Sequence, residues 1–231
     1  MPFFFIDYWY IVLVIPVLIL SMIIQGVMKS TYRKYSAVMA HSGRTGAEMA
    51  RHVMTENGIY NVNIVPIEGE LSDHYDPRTR VIRLSRSVYE GRSVAALGVA
   101  CHEAGHAVQH ATGYFPLAAR NAIAPVVSFC SGISWFVLIL GIFMQYDIMI
   151  NIGILLFASA AIFQFITLPV EFNASRRAVR ILGETGILGE QELGYTRKVL
   201  GAAALTYVAG AASAILQLLR LILLFGGRRD D

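Results

Sequence analysis

Apolar residues in this chain gather into four long blocks, with stretches of mixed character between them. The first block runs from Phe3 to Met28 and is broken by Asp7, Pro16, Ser21 and Gln25. About 20 apolar residues cross the hydrocarbon core of a bilayer, so the block predicts a membrane-spanning helix. Tyr8, Trp9 and Tyr10 suit a membrane interface. Ala122 to Met144 and Ile148 to Leu168 predict a hairpin of two further spans around the turn Gln145-Tyr146-Asp147, with Gly132 and Gly141 available for close helix packing. Val199 to Phe225 is the fourth block, interrupted by Gln217 and Arg220, and is expected to span as well.

Between the first and second blocks the pattern changes. Thr45 to Asn57 has the period of an amphipathic helix ended by Gly58. Val62 to Ile67 is β-prone, and Leu71 to Arg80 reads as a turn leading into a strand at Val81 to Ser85. That strand is expected at a sheet edge, where an extended peptide could pair with it. Val94 to Ala111 then predicts a buried helix, with Ser93 as N-cap and Gly113 just past its end. After the hairpin, Pro169 is expected to kink the helix or to begin a new one. Glu171 to Arg180 is helical in character, Gly183, Gly186 and Gly189 mark a loop, and Glu190 to Lys198 is polar and helical.

Composition supports a polytopic membrane protein. The 231 residues are 55% hydrophobic and 15% charged, with a mean hydropathy of +0.55. A net charge of +3 gives no nucleic-acid footprint. Cys101 and Cys130 suggest no disulfide framework, which suits a reducing compartment. Lys29, Arg33 and Lys34 follow the first block, so the next segment is expected to face the cytoplasm. Arg228 and Arg229 run against that rule if the fourth block spans.

The chemistry sits in His102-Glu103-Ala104-Gly105-His106. Residues i and i+4 share a helix face, so both imidazoles can reach one ion. Glu103, rotated by about 100°, can serve as a base for water. The pattern points to a hydrolytic zinc site, which also needs a third protein ligand and an open position. The longer pattern with a third histidine fails, since Gln109 and Thr112 occupy its glycine and histidine positions. His110 lies about 12 Å along the axis from His102, too far for the same ion on one straight helix. Glu171 is the favoured third ligand, being on the same side of the membrane by topology. Glu184, Glu190 and Glu192 compete with it, and His52 reads as a surface residue.

H-E-A-G-H-A-V-Q-H, a membrane hairpin and then L-P-V-E-F-N-A-S-R-R-A together resemble the YugP-like neutral zinc metallopeptidases of bacterial membranes. D-H-Y-D-P-R-T and L-T-Y-V-A extend the likeness. More distantly the chain is similar to the HtpX and CaaX prenyl protease group of gluzincins. In that group an E-[FY]-x-A-D segment after the hairpin supplies the third ligand, which the resemblance puts at Glu171. The group's aspartate, which orients a ligating histidine, falls at Ser175, so Asn173 or a residue elsewhere is expected to complete the support.

The expected architecture is mainly α. It comprises an anchor (1–28), a cytoplasmic zincin-like part with a short β edge strand (29–121), a membrane hairpin (122–168), a cytoplasmic segment (169–198) and a hydrophobic helix with its tail (199–231). The expected activity is that of a zinc endopeptidase in the bacterial cell membrane, acting on membrane or membrane-proximal proteins. It would hold one Zn²⁺ per chain on His102, His106 and Glu171, with Glu103 as general base. His74, Tyr75 and Tyr195 are candidates for stabilising the oxyanion. The rival reading is a zinc-binding scaffold without activity. Retention of Glu103 argues against it, since a structural site has no use for an uncoordinated base.

Overall fold

The computed structural model describes residues 6–226. Residues 3–5 of the first expected span and the C-terminal Arg228, Arg229, Asp230 and Asp231 lie outside the described residues. The elements are α1 (Tyr10–Ser36, with a π-helical first turn), α2 (Gly46–Glu56), β1 (Asn63–Ile67), β2 (His74–Asp76) and β3 (Val81–Ser85). They continue with α3 (Arg86–Tyr89), α4 (Val94–Ala111), α5 (Phe115–Phe143), α6 (Asp147–Glu184) and α7 (Glu190–Phe225). Four of these, α1, α5, α6 and α7, are long and apolar enough to cross a membrane. The protein is a mainly helical, polytopic membrane protein with one small sheet.

By its contacts the chain divides into two units. One comprises residues up to Gln25, Ala119–Pro169 and those from Thr206 on; the other comprises Gly26–Ala118 and Val170–Leu205.

Within the first unit, α5 and α6 pack where Gly141 removes a side chain. A Cβ there would lie 2.9 Å from the backbone nitrogen of Ile150, so only glycine admits this approach. Gly132, expected to serve the same purpose, has nothing within 4 Å of such a Cβ. Arg220 of α7 is 5% exposed, and its Nε donates to Asp7 Oδ2 at 2.8 Å. The charge that interrupts the fourth apolar block is thus paired.

The second unit has a core built from α2, α4, the sheet and the polar ends of α6 and α7. Met49, Val53, Ile82, Leu84, Leu97 and Leu182 are fully buried in it. α2 opens with a capping box, in which the Thr45 hydroxyl accepts from Glu48 N–H and the Glu48 carboxylate accepts from Thr45 N–H. α4 is capped as the sequence predicts, with Ser93 Oγ accepting from Ala96 N–H at 3.1 Å and Gly113 at φ +63° past its end.

Two expectations are corrected. The strand Val81–Ser85 forms, but it is central in the order β1-β3-β2, paired parallel with β1 and antiparallel with β2. The edges are β1 and β2, and β2 is the one that packs on α4. Of the two outcomes expected at Pro169, the start of a new helix is excluded, because α6 runs for 38 residues through it. Proline costs such a helix one backbone hydrogen bond and some bending.

Candidate metal centre

α4 carries His102 and His106 on one face, and α6 brings Glu171 against them. The glycine between the histidines makes that approach possible. A Cβ at Gly105 would sit 3.0 Å from the carbonyl oxygen of Ala174, one turn beyond Glu171 on α6. Ala174 and Ala178 are themselves fully buried, so small residues on both helices set the spacing.

The ligand atoms converge. His102 Nε2 is 3.3 Å and His106 Nε2 is 3.6 Å from Glu171 Oε2, and all three donor atoms lie within 4.8 Å of one another. Zinc bonds of about 2.0–2.2 Å arranged tetrahedrally put ligand atoms about 3.4 Å apart, so the two separations from Glu171 match that ion and the donor set suits its chemistry. Glu171 is 4% and His106 7% exposed, and the His102 side chain 13%. The expected competitors lie elsewhere. Glu192 accepts from His41 N–H at 2.7 Å and Gly189 N–H at 2.9 Å, Glu184 is exposed beside Arg180, and Glu190 is exposed. His52 is half-buried on α2 and belongs to no group of metal-ligating side chains among the described residues.

The other ring nitrogens are held as well. His102 Nδ1 meets the Ser175 hydroxyl at 3.1 Å. His106 Nδ1 meets Gln109 Oε1 at 3.0 Å, and Gln109 is fully buried. With Nδ1–H donating to these oxygens, each ring keeps the Nε2 lone pair toward Glu171. Gln109 Nε2 donates to Val170 O at 2.9 Å and to Asn173 Oδ1 at 3.0 Å. Asn173 Oδ1 also accepts from Arg177 Nε at 2.7 Å. A reversed Gln109 amide would set its oxygen against two acceptors, so only one orientation satisfies the group. Sequence reasoning gave Gln109 no role beyond breaking the longer histidine pattern. Its position one turn from His106 was the available signal. Ser175 thus reaches His102 directly, whereas Asn173 touches neither histidine and meets Gln109 instead.

Glu103 is 7% exposed. Burial pushes its carboxyl up to about 7, with the Glu171 and Asp73 carboxylates adding to the shift and His102 and the Tyr75 backbone N–H opposing it. Burial likewise pushes the Cys101 thiol upward, leaving it a small buried apolar group. Of the three residues expected near an oxyanion, Tyr75 on edge strand β2 is beside the site. Its hydroxyl is 2.8 Å from Nδ1 of His110, one helical turn past His106. Tyr195 stacks on Tyr35 with ring centroids 4.9 Å apart, and exposed His74 turns its Nδ1 to Ser72 O at 2.8 Å.

Comparison with known proteins agrees with this chemistry. A family described as "Putative neutral zinc metallopeptidase" matches residues 10–226. The chain is 48% identical over 222 residues to the "Putative membrane protease YugP" of Bacillus subtilis (strain 168), covering 96% of this chain and 99% of that one. No solved structure matches. A family match over nearly the whole chain, together with a relative this similar from end to end, makes the protein a member of that zinc metallopeptidase family.

Proposed function

We propose that the protein is a membrane-embedded zinc endopeptidase of the gluzincin type that cleaves membrane or membrane-proximal proteins on the cytoplasmic side. His102, His106 and Glu171 hold one zinc per chain, and Glu103 is the general base. The observation that carries the reading is the convergence of two imidazoles on one carboxylate oxygen, at 3.3 and 3.6 Å, with a buried Glu103 beside the first imidazole in the chain. Zinc at this position supplies a Lewis acid and lowers the pKa of bound water toward neutrality.

The chain's own residues do the rest. Glu103 takes a proton from the attacking water and passes it to the leaving amine. Tyr75, whose backbone N–H meets Glu103 and whose hydroxyl meets His110, donates through that hydroxyl to the carbonyl oxygen as negative charge develops there. Ser175 and Gln109 keep the imidazoles in the tautomer that ligates. Four membrane-crossing helices tether the site where transmembrane or juxtamembrane segments are the accessible substrates. The basic residues Lys29, Arg33 and Lys34 after the first apolar block support the cytoplasmic orientation. The division into anchor, catalytic part, hairpin, ligand-bearing segment and last helix is proposed with it.

The test is metal content and peptide cleavage in detergent for wild type, Glu103→Gln and Glu171→Ala. About one zinc per chain with cleavage is expected for wild type, zinc without cleavage for Glu103→Gln, and loss of both for Glu171→Ala. Full zinc retention in Glu171→Ala would move the third ligand elsewhere. Zinc without cleavage in wild type, against a panel of membrane proteins, would favour a scaffold.

A further inference from the structure

Tyr75 is fastened to α4 at two points. Its backbone N–H donates to the Glu103 carboxylate, and its hydroxyl lies 2.8 Å from Nδ1 of His110. Positions 103, 106 and 110 follow an i, i+3, i+7 spacing, so they share a helix face, and the outer two are about 10 Å apart along its axis. Tyr75 therefore reaches from the proposed base to His110 past the turn that bears His106. Its ring is packed against the core of the second unit and tilted 51° to the His110 ring, with centroids 5.9 Å apart.

The direction of the Tyr75–His110 bond decides what the phenol can do. A phenol carries one hydrogen. Given to His110, that hydrogen is spent. If Nδ1–H of His110 donates to the phenol oxygen instead, the hydrogen is left for another acceptor, and the hydroxyl has no second partner among the described residues. His102 and His106 have their Nδ1 side fixed by Ser175 and Gln109. His110 is exposed, and water at its Nε2 serves as donor or acceptor alike, so the Tyr75 side sets its tautomer. Burial raises the Tyr75 hydroxyl above the usual phenol range, with Arg80 opposing and Asp76 adding to the shift. It therefore keeps its hydrogen at neutral pH.

We propose that His110 is a positioning residue for the oxyanion. Its Nδ1–H donates to the Tyr75 oxygen and turns the phenol hydrogen toward the carbonyl oxygen of the scissile peptide. This role rests on the peptidase reading. In a chain of two such bonds each donor polarises the next, and the chain tightens as negative charge grows on the last acceptor. Its effect falls on the transition state and not on substrate binding.

The test uses the full chain in detergent, a quenched fluorescent peptide selected from a random library for cleavage by wild type, and its phosphonamidate analogue as a mimic of the tetrahedral state. His110→Leu is expected to lower kcat and phosphonamidate affinity about tenfold each. KM, zinc content and thermal midpoint should stay at wild-type values. His110→Asn, whose amide N–H takes the place of Nδ1–H, should recover most of the rate. In a Tyr75→Phe background, His110→Leu should cost nothing further. A wild-type rate in His110→Leu overturns the proposal, as does a penalty that persists in Tyr75→Phe. A loss confined to KM, or one that comes with a lowered thermal midpoint or lost zinc, overturns it too, since the contact would then only fasten β2 to α4 or support the metal. All of these leave the peptidase reading standing. Cleavage retained in Glu103→Gln, or no library peptide cleaved by wild type, overturns that reading and the role of His110 with it.

Discussion

The two histidines of the site are supported in unlike ways. His102 leans on a single hydroxyl, Ser175, at a partly exposed position. His106 leans on a fully buried amide that also grips the backbone of Val170, the residue before Glu171, and is itself braced by Asn173 and Arg177. One flank orients one ring. The other orients a ring and also ties the helix of Glu171 to the helix of the two histidines. Neither flank carries a negative charge, so both rings are less basic ligands than they would be beside a carboxylate.

That difference predicts unequal effects. Tyr75→Phe leaves both flanks alone, and the largest effect expected is its loss of about 100-fold in kcat at unchanged zinc content. A matching loss of zinc would make Tyr75 part of the support and break the division. Gln109→Met should weaken zinc binding by close to 100-fold in chelator competition, against close to tenfold for Ser175→Ala. Equal losses would mean that the tie to Val170 contributes nothing. Ser175→Asp should sharpen the contrast the other way, raising zinc affinity by about tenfold through the added charge. With metal removed by chelator, Gln109→Met should still destabilise the fold by about 1–3 kcal/mol, because Val170 O, Asn173 and His106 lose a buried partner. Ser175→Ala should cost less than about 1 kcal/mol in the same denaturation experiment.

Much of this was legible in the chain. Periodicity gave α2 with Gly58 past its end and α4 with Ser93 and Gly113 at its ends, because such residues act on neighbours a few positions away, whereas the capping role of Thr45 was not read. Apolar length gave the four helices long enough to cross a membrane, and topology with family likeness pointed to Glu171. What local pattern could not give was pairing at a distance. β3 looks like an edge strand because it carries an arginine, Arg83, and is flanked by Arg80 and Arg86, yet β1 and the three-residue β2 enclose it. Gln109 looks like an ordinary helical residue until α6 is laid beside it. Pro169 is a strong breaker in isolation, but packing of α6 on either side of it outweighs one lost hydrogen bond.

The order of synthesis follows from where Glu171 sits. The helix with both histidines leaves the ribosome first, and the carboxylate that completes the trio comes only after the hairpin of α5 and α6 has been made. A nascent chain stopped before Glu171 has a base and two imidazoles but no third donor. On the proposed reading, hydrolytic capacity is thereby deferred until three of the four apolar blocks have been produced.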